Sequence, residues 1–386
     1  MALPFDLLVV GAGPAGCVLA ERAATVLNWR VLVIDRRNHL AGNCYDGPHT
    51  NGVWIHHYGP HYFRTRDRGV LRYLSQFTDW IPASYVVKSL ARGELFPFPI
   101  NLDTLEQFFR RRFRVAEAEA FLQTIRLPRA IHTSEDAVLN TVGDDLYRTF
   151  FRDYTRKQWG CDASQLSAEV CGRIPLRFNR DPRYVDAPFQ MMPAQGFTGL
   201  FQRMLAHPRI TVQLGVDYAT LRSQSVPVTV YCGPIDHYFD LCYGQLPYRS
   251  LQFEHVSLRR PLAQPCVQIN YPDAQTPFTR SVEIKHISGQ THPETVVTFE
   301  TPRASGDPYY PVPCASSQAL YERYRQRAEW ETRTRQVYFC GRLAQYRYFN
   351  TDQVVREALS CFQRLRQRFA PPRSPLSATT TSFEND

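Results

Sequence analysis

The chain has 386 residues, 44% of them hydrophobic, enough for two or three packed units with a real core. Its formal charge of +9 comes almost entirely from arginine: the only lysines are Lys88, Lys157 and Lys285. The arginines are scattered rather than gathered in the dense basic stripe that nucleic acid demands. No run approaches the roughly 18–20 apolar residues of a membrane span, and the N-terminus shows no basic, apolar and small-residue leader, so the cytoplasm is the expected location.

Phe5–Val10 is an apolar run of strand length, followed by Gly11, Gly13 and Gly16 in G-x-G-x-x-G spacing. Ala15–Val26 is rich in helix formers, and Arg30–Ile34 is a second apolar run ending in Asp35. That strand–turn–helix–strand context marks a dinucleotide site. Gly11 allows a tight turn, Gly13 lets backbone approach a pyrophosphate, and Gly16 lets helix pack on strand. Pro14 and Ala15 open the helix, whose free N–H groups and dipole favour phosphate. Asp35, 19 residues after Gly16, can accept from a ribose hydroxyl. The motif alone does not separate FAD from NAD.

Asn51-Gly52 signals a hairpin leading into Val53–His57. The Pro-broken Phe96–Ile100 run is unsuited to a central strand. From Leu102 to about Trp159 apolar residues recur at helical spacing, and Thr133–Asp136 reads as a capped helix start. Arg173 to about Thr301 alternates like strands, with Val228–Cys232 and Val337–Cys340 returning to the dinucleotide sheet and Asp352–Phe369 a closing helix. The Pro/Ser/Thr-rich residues 371–386 read as a disordered tail. The ten cysteines contain no C-x-x-C pair and no zinc spacing, so they read as reduced, buried thiols, and no metal is expected. Arginines can also converge on an anionic small substrate, because guanidinium pairs phosphate bidentately.

Beyond these patterns, the segments VVGAGPAG, VIDRRNHLAGN, HHYGPHYF, VGDDLYRTFFRDYTRKQWG, RIPLRFNRDPRY, YCGPIDHYF, LPYRSLQFE, PFTRSVEIKH, DPYYPV and CGRLAQYRYFNTDQV occur in order over about residues 5–368. Through them the chain resembles the UDP-galactopyranose mutase family. The resemblance implies an α/β protein in three parts. A discontinuous Rossmann-like FAD domain would take residues 1–80, 190–240 and 330–370, and a helical insert 100–172. A mostly antiparallel-sheet substrate domain would take 80–99, 173–189 and 241–329. It also implies a homodimer serving cell-surface polysaccharide biosynthesis. The implied reaction interconverts UDP-galactopyranose and UDP-galactofuranose without net redox change, the reduced FAD N5 attacking the anomeric carbon.

By the same motif match His61, Arg173 and Arg280 are the catalytic residues. Arg173 and Arg280 clamp the leaving diphosphate and His61 lies beside the flavin. Phe151, Tyr154, Trp159, Tyr184, Arg249, Tyr310 and Tyr348 are expected to bind substrate, while Phe150 is expected in the core. Gly11, Gly13, Pro14, Ala15, Gly16, Asp35, Arg36, Asn43, Tyr58, Gly59, Pro60, Arg342, Asp352 and Gln353 are expected to hold FAD. The chain departs from the family pattern at Arg64, where histidine is usual, at Val185–Gln190, at Gln345 and at Asn350, where aspartate is common. These changes leave the clamp intact and alter polar groups on the sugar side, where a missing hydrogen-bond partner discriminates strongly. A mutase of the same mechanism on another nucleoside diphosphate sugar (a deoxy or acetamido hexose), an amine-oxidase-like FAD oxidoreductase and a non-catalytic nucleotide-sugar binder are the competing readings.

Overall fold

The computed structural model describes residues 3–369; the expected disordered tail lies outside the described residues. Leu7–Val10 is the centre of a five-stranded parallel sheet ordered Ile210–Leu214, Val31–Asp35, Leu7–Val10, Val228–Tyr231, Val337–Phe339. Leu7 stands opposite Val31 on one side and Val228 on the other. Parallel strands covered on both faces read as continuous apolar runs, which is why LLVV and VLVI were legible. Alternate residues serve opposite faces. Leu7, Val9, Val31 and Val33 share a core with helices Pro14–Leu27 and Thr351–Phe369, whereas Leu8, Val10, Leu32 and Ile34 pack with Tyr231 against Tyr218 and Tyr238. Tyr324 and Ala328 of helix Ala315–Arg335 pack with Ile235, Phe239 and Leu246 beside the strand Val337–Phe339. The expected domain boundary at 329/330 therefore falls inside this helix.

A second sheet has seven strands, ordered Tyr310–Pro311, Tyr248–Leu258, Thr295–Arg303, Arg280–Val282, Gln268–Asn270, Val87–Ala91, Glu94–Phe98. All its pairs are antiparallel except Gln268–Asn270 with Val87–Ala91. Glu94–Phe98 is a strand despite Pro97, and it sits at the edge, where a missing N–H is tolerated. A three-stranded antiparallel sheet of Phe63–Thr65, Phe189–Pro193 and Trp80–Pro82 joins the layers. Asp46–Pro48 and Trp54–His56 form the expected hairpin, with Gly52 at φ +84° in its turn.

The helical segment starts where Asn101 caps Leu102–Phe109. Thr133 caps Ser134–Val142, its hydroxyl accepting from the Asp136 N–H while the Asp136 carboxylate accepts from the Thr133 N–H. Between Asp144–Tyr147 and Asp153–Trp159 the helix widens into a π turn at Arg148–Arg152. Phe150 packs in the core against Phe96 and Phe108 and Phe151 packs on Phe98, and both rings also line one cavity.

Candidate active site

The loop at the carboxyl end of Leu7–Val10 lines one side of a cleft of about 320 Å³. Gly11 adopts φ +111°, and a Cβ on Gly16 would lie 1.9 Å from the Gly11 carbonyl oxygen, so the first and third glycines are sterically required. Gly42, at φ +54°, presses against Gly13, where an added Cβ would meet the Gly13 Cα at 3.0 Å. Asp35 Oδ2 accepts the Ala12 N–H at 2.8 Å and Oδ1 accepts the Arg37 N–H at 2.9 Å. Asp35 thus anchors the glycine loop while lining the cleft. Gly11, Gly13, Pro14, Ala15, Gly16, Arg36, Asn43, His61 and Arg342 line it too. Arg36 and Arg37 both pair with Asp307, at 2.6 and 3.1 Å, and Arg37 also donates to Asn43 Oδ1 and lies over the Tyr58 ring.

A second cavity of about 220 Å³ adjoins the first, with Asn43, His61, Arg342 and Thr351 walling both. Tyr58, Gly59 and Pro60 face this second cavity rather than the cleft. His61 Nδ1 lies 2.9 Å from the Gly59 carbonyl and its backbone N–H donates to His56 Nδ1. Burial, with the neighbouring His56 and Arg342, pushes His61 down to about 3, so the ring is neutral near pH 7. A carbonyl only accepts, so Nδ1 carries the proton and Nε2 keeps its lone pair.

Phe151, Tyr154, Trp159, Arg173, Tyr184, Arg280, Tyr310 and Tyr348 all line the second cavity. Tyr310 and Tyr348 stack at 5.5 Å, with Trp159 near both and the Arg173 guanidinium 4.2 Å over the Tyr348 ring. Arg280 and Glu300 are cross-strand neighbours, joined at 2.6 Å, and Arg280 donates to the Tyr310 hydroxyl at 3.3 Å. Glu300 Oε1 is buried with no hydrogen-bond partner among the described residues. Lys157 donates to the carbonyls of Tyr271, Thr276 and Phe278, fastening the helical segment to the loop that leads into Arg280. Burial raises the Tyr348 hydroxyl, but Arg173, Arg342, Arg280 and Arg64 together bring it down to about 8. The cavity is therefore strongly positive, flat-walled and equipped with neutral O–H donors.

Three expected site residues stand elsewhere. Arg249 donates to the Lys157 and Gln158 carbonyls and so caps helix Asp153–Trp159; it lines neither cavity. Asp352 accepts from Thr65 Oγ1, and Gln353 Oε1 accepts from the Asn350 N–H, both turned to hold the start of helix Thr351–Phe369. Conversely, Arg37 and Glu300 were missed. Glu300 carried a signal, as an acid directly after the strand-like run Thr295–Phe299, but its partner depends on sheet register. Arg37 carried none beyond following Arg36.

A Rossmann sheet whose cleft opens onto a cationic, aromatic cavity fits a dinucleotide-dependent enzyme acting on an anionic ligand. The model of the UDP-galactopyranose mutase family matches residues 149–348, and that of an NAD(P)-binding Rossmann-like domain residues 9–77. The chain is 36% identical over 373 residues to a dTDP-fucopyranose mutase of Escherichia coli, covering 92% of this chain and 97% of that one. It is also 36% identical over 365 residues to a protein of Klebsiella pneumoniae named "Probable UDP-galactopyranose mutase", covering 92% and 93%. A crystal structure of reduced UDP-galactopyranose mutase superposes with a TM-score of 0.74 at 15% identity, over 95% of this chain and 94% of that one. The chain belongs to the UDP-galactopyranose mutase family, which makes it an FAD-dependent isomerase of the intramolecular transferase class. Among the described residues no helix is long and apolar enough to cross a membrane.

Proposed function

We propose that the protein interconverts the pyranose and furanose forms of a nucleoside diphosphate hexose with the ring configuration of galactose, UDP-galactose being the reference substrate. The observation that carries this reading is the shared wall: His61, Asn43, Arg342 and Thr351 line both the dinucleotide cleft and the arginine–tyrosine cavity. The cleft suits FAD because its glycines leave backbone exposed for a pyrophosphate and Asp35 stands within the cleft for a ribose. Gly11, Gly13 and Asp35 would hold FAD there, and its reduced form would supply a nucleophilic nitrogen for the anomeric carbon, with no net redox change.

The protein's own groups do the rest. Arg173 and Arg280 hold the diphosphate and stabilise the charge that grows as it leaves. Tyr184, Tyr310 and Tyr348 add neutral donors to its oxygens. Phe151, Tyr154 and Trp159 offer flat surfaces for the nucleobase. Neutral His61 offers Nε2 as an acceptor on the wall the two cavities share. The same 36% identity to a dTDP-fucopyranose mutase and to a protein named "Probable UDP-galactopyranose mutase" makes dTDP-fucose the second substrate to test. Assembly as a homodimer, action in the cytoplasm and a three-part domain division, with its last boundary moved off 329/330 to an end of helix Ala315–Arg335, remain part of this proposal. The test is anaerobic: the purified protein, with and without reduction by dithionite, is given UDP-galactose or dTDP-fucose and the products are separated by chromatography. Furanose formed only by the reduced protein supports the reading; no furanose from any sugar, or stoichiometric NAD(P)H oxidation coupled to substrate oxidation, overturns it.

A further inference from the structure

In strand Phe63–Thr65 the outer residues are buried and Arg64, between them, faces the second cavity. Arg64 donates from Nη1 to the Tyr62 hydroxyl at 2.8 Å and from Nη2 to Asn350 Oδ1 at 2.9 Å. Both acceptors are neutral, and among the described residues Arg64 forms no ion pair. The cavity is lined by Arg64, Arg173, Arg280 and Arg342 and by neither aspartate nor glutamate. The other three guanidiniums have an assignment. Arg280 meets Glu300, Arg173 and Arg280 face the proposed diphosphate, and Arg342 stands at the wall shared with the cofactor cleft. Arg64 has none. A half-buried guanidinium without a counter-ion is costly, so a ligand anion is the natural partner.

Its place says which part of the ligand. Asn350 immediately precedes Thr351, which lines both cavities, so the Arg64–Asn350 pair stands at the cofactor end, where the sugar must be. Galactose and fucose, named in the two similar relatives, are the same ring differing at C6, fucose being 6-deoxygalactose. We infer that the sugar is a galactose-configured hexuronate whose C6 carboxylate is received by Arg64, with Asn350 and Tyr62 orienting the guanidinium. This rests on the mutase reading above and narrows its substrate class.

The FAD-loaded protein, reduced anaerobically, is titrated calorimetrically with UDP, UDP-galactose and UDP-galacturonate. UDP-galacturonate is expected to bind about tenfold to a hundredfold tighter than UDP-galactose, the span of a charge-assisted hydrogen bond. In Arg64→Gln that ratio falls toward one. In Asn350→Asp the new carboxylate occupies Arg64 and the ratio also falls, without removing the guanidinium. A ratio of one or less in the unaltered protein overturns the inference while UDP-galactose binding leaves the mutase reading standing. Equal weakening of UDP alone in Arg64→Gln places Arg64 on the diphosphate and likewise overturns it. Failure of all three ligands to bind removes both.

Discussion

Tyr348 gives the sharpest quantitative handle on the diphosphate clamp. Its hydroxyl, brought to about 8 by the surrounding arginines, is neutral at pH 7 and ionised at pH 9. Only the neutral form donates to a phosphate oxygen, and the ionised form adds repulsion. Binding a diphosphate therefore requires the proton, and affinity falls about tenfold per pH unit above 8. Between pH 7 and 9 the dissociation constant of UDP-galactose should rise about tenfold. In Tyr348→Phe it should stay flat over that range, starting severalfold weaker at pH 7 for want of one hydrogen bond. The Arg173 guanidinium lies 4.2 Å over the ring. A unit charge at about 5 Å and an effective dielectric near 20 is worth roughly 3 kcal/mol, or about two pKa units. Arg173→Ala should therefore return Tyr348 to about 10, visible as a tyrosinate absorbance near 295 nm that appears only at higher pH. Parallel pH profiles for the unaltered protein and Tyr348→Phe would refute the reasoning.

Arg280→Ala leaves the buried Glu300 carboxylate without its partner and should cost about 3–5 kcal/mol of stability, whereas Arg280→Ala/Glu300→Gln should recover part of that loss; identical denaturant midpoints for the single and double variants would contradict the pairing. In Gly16→Ala the methyl would fall 1.9 Å from the Gly11 oxygen, so the variant should purify without flavin, read as a lost 450 nm band. Asp35→Ala removes the acceptor of the Ala12 and Arg37 N–H groups and should weaken FAD retention at least tenfold, on the order of two charge-assisted hydrogen bonds; a fully yellow preparation would count against it.

The parallel sheet was legible because strands buried on both faces are written as unbroken apolar runs, and the glycine loop because steric need fixes residue type at Gly11 and Gly16. The capping box at Thr133 and the turn at Asn51-Gly52 were legible for the same local reason. The fifth strand, Ile210–Leu214, was not singled out: it lies at the sheet edge, half exposed, and its ITVQL lacks a continuous apolar signature. The π turn at Arg148–Arg152 is a one-residue insertion that helical periodicity absorbs without trace. At the site, motif match brought Arg173, Arg280, Tyr154, Trp159, Tyr184, Tyr310 and Tyr348 to one cavity. It misplaced Arg249, Asp352 and Gln353 because adjacency in a motif does not say which way a side chain turns. Arg64 and Asn350 stood out in the sequence only as departures; that they meet at 2.9 Å follows from bringing strand Phe63–Thr65 beside the start of the last helix.

The account stands on a diphosphate seated between Arg173 and Arg280 with its sugar turned toward the wall shared by the two cavities. A crystal structure of the reduced, FAD-loaded protein with a bound UDP-sugar tests this most directly. The predicted result is diphosphate oxygens within hydrogen-bond distance of both guanidiniums and of Tyr348, and the sugar ring beside His61 and Arg342 over the flavin. A diphosphate bound away from those arginines, or a sugar directed to solvent, would contradict it.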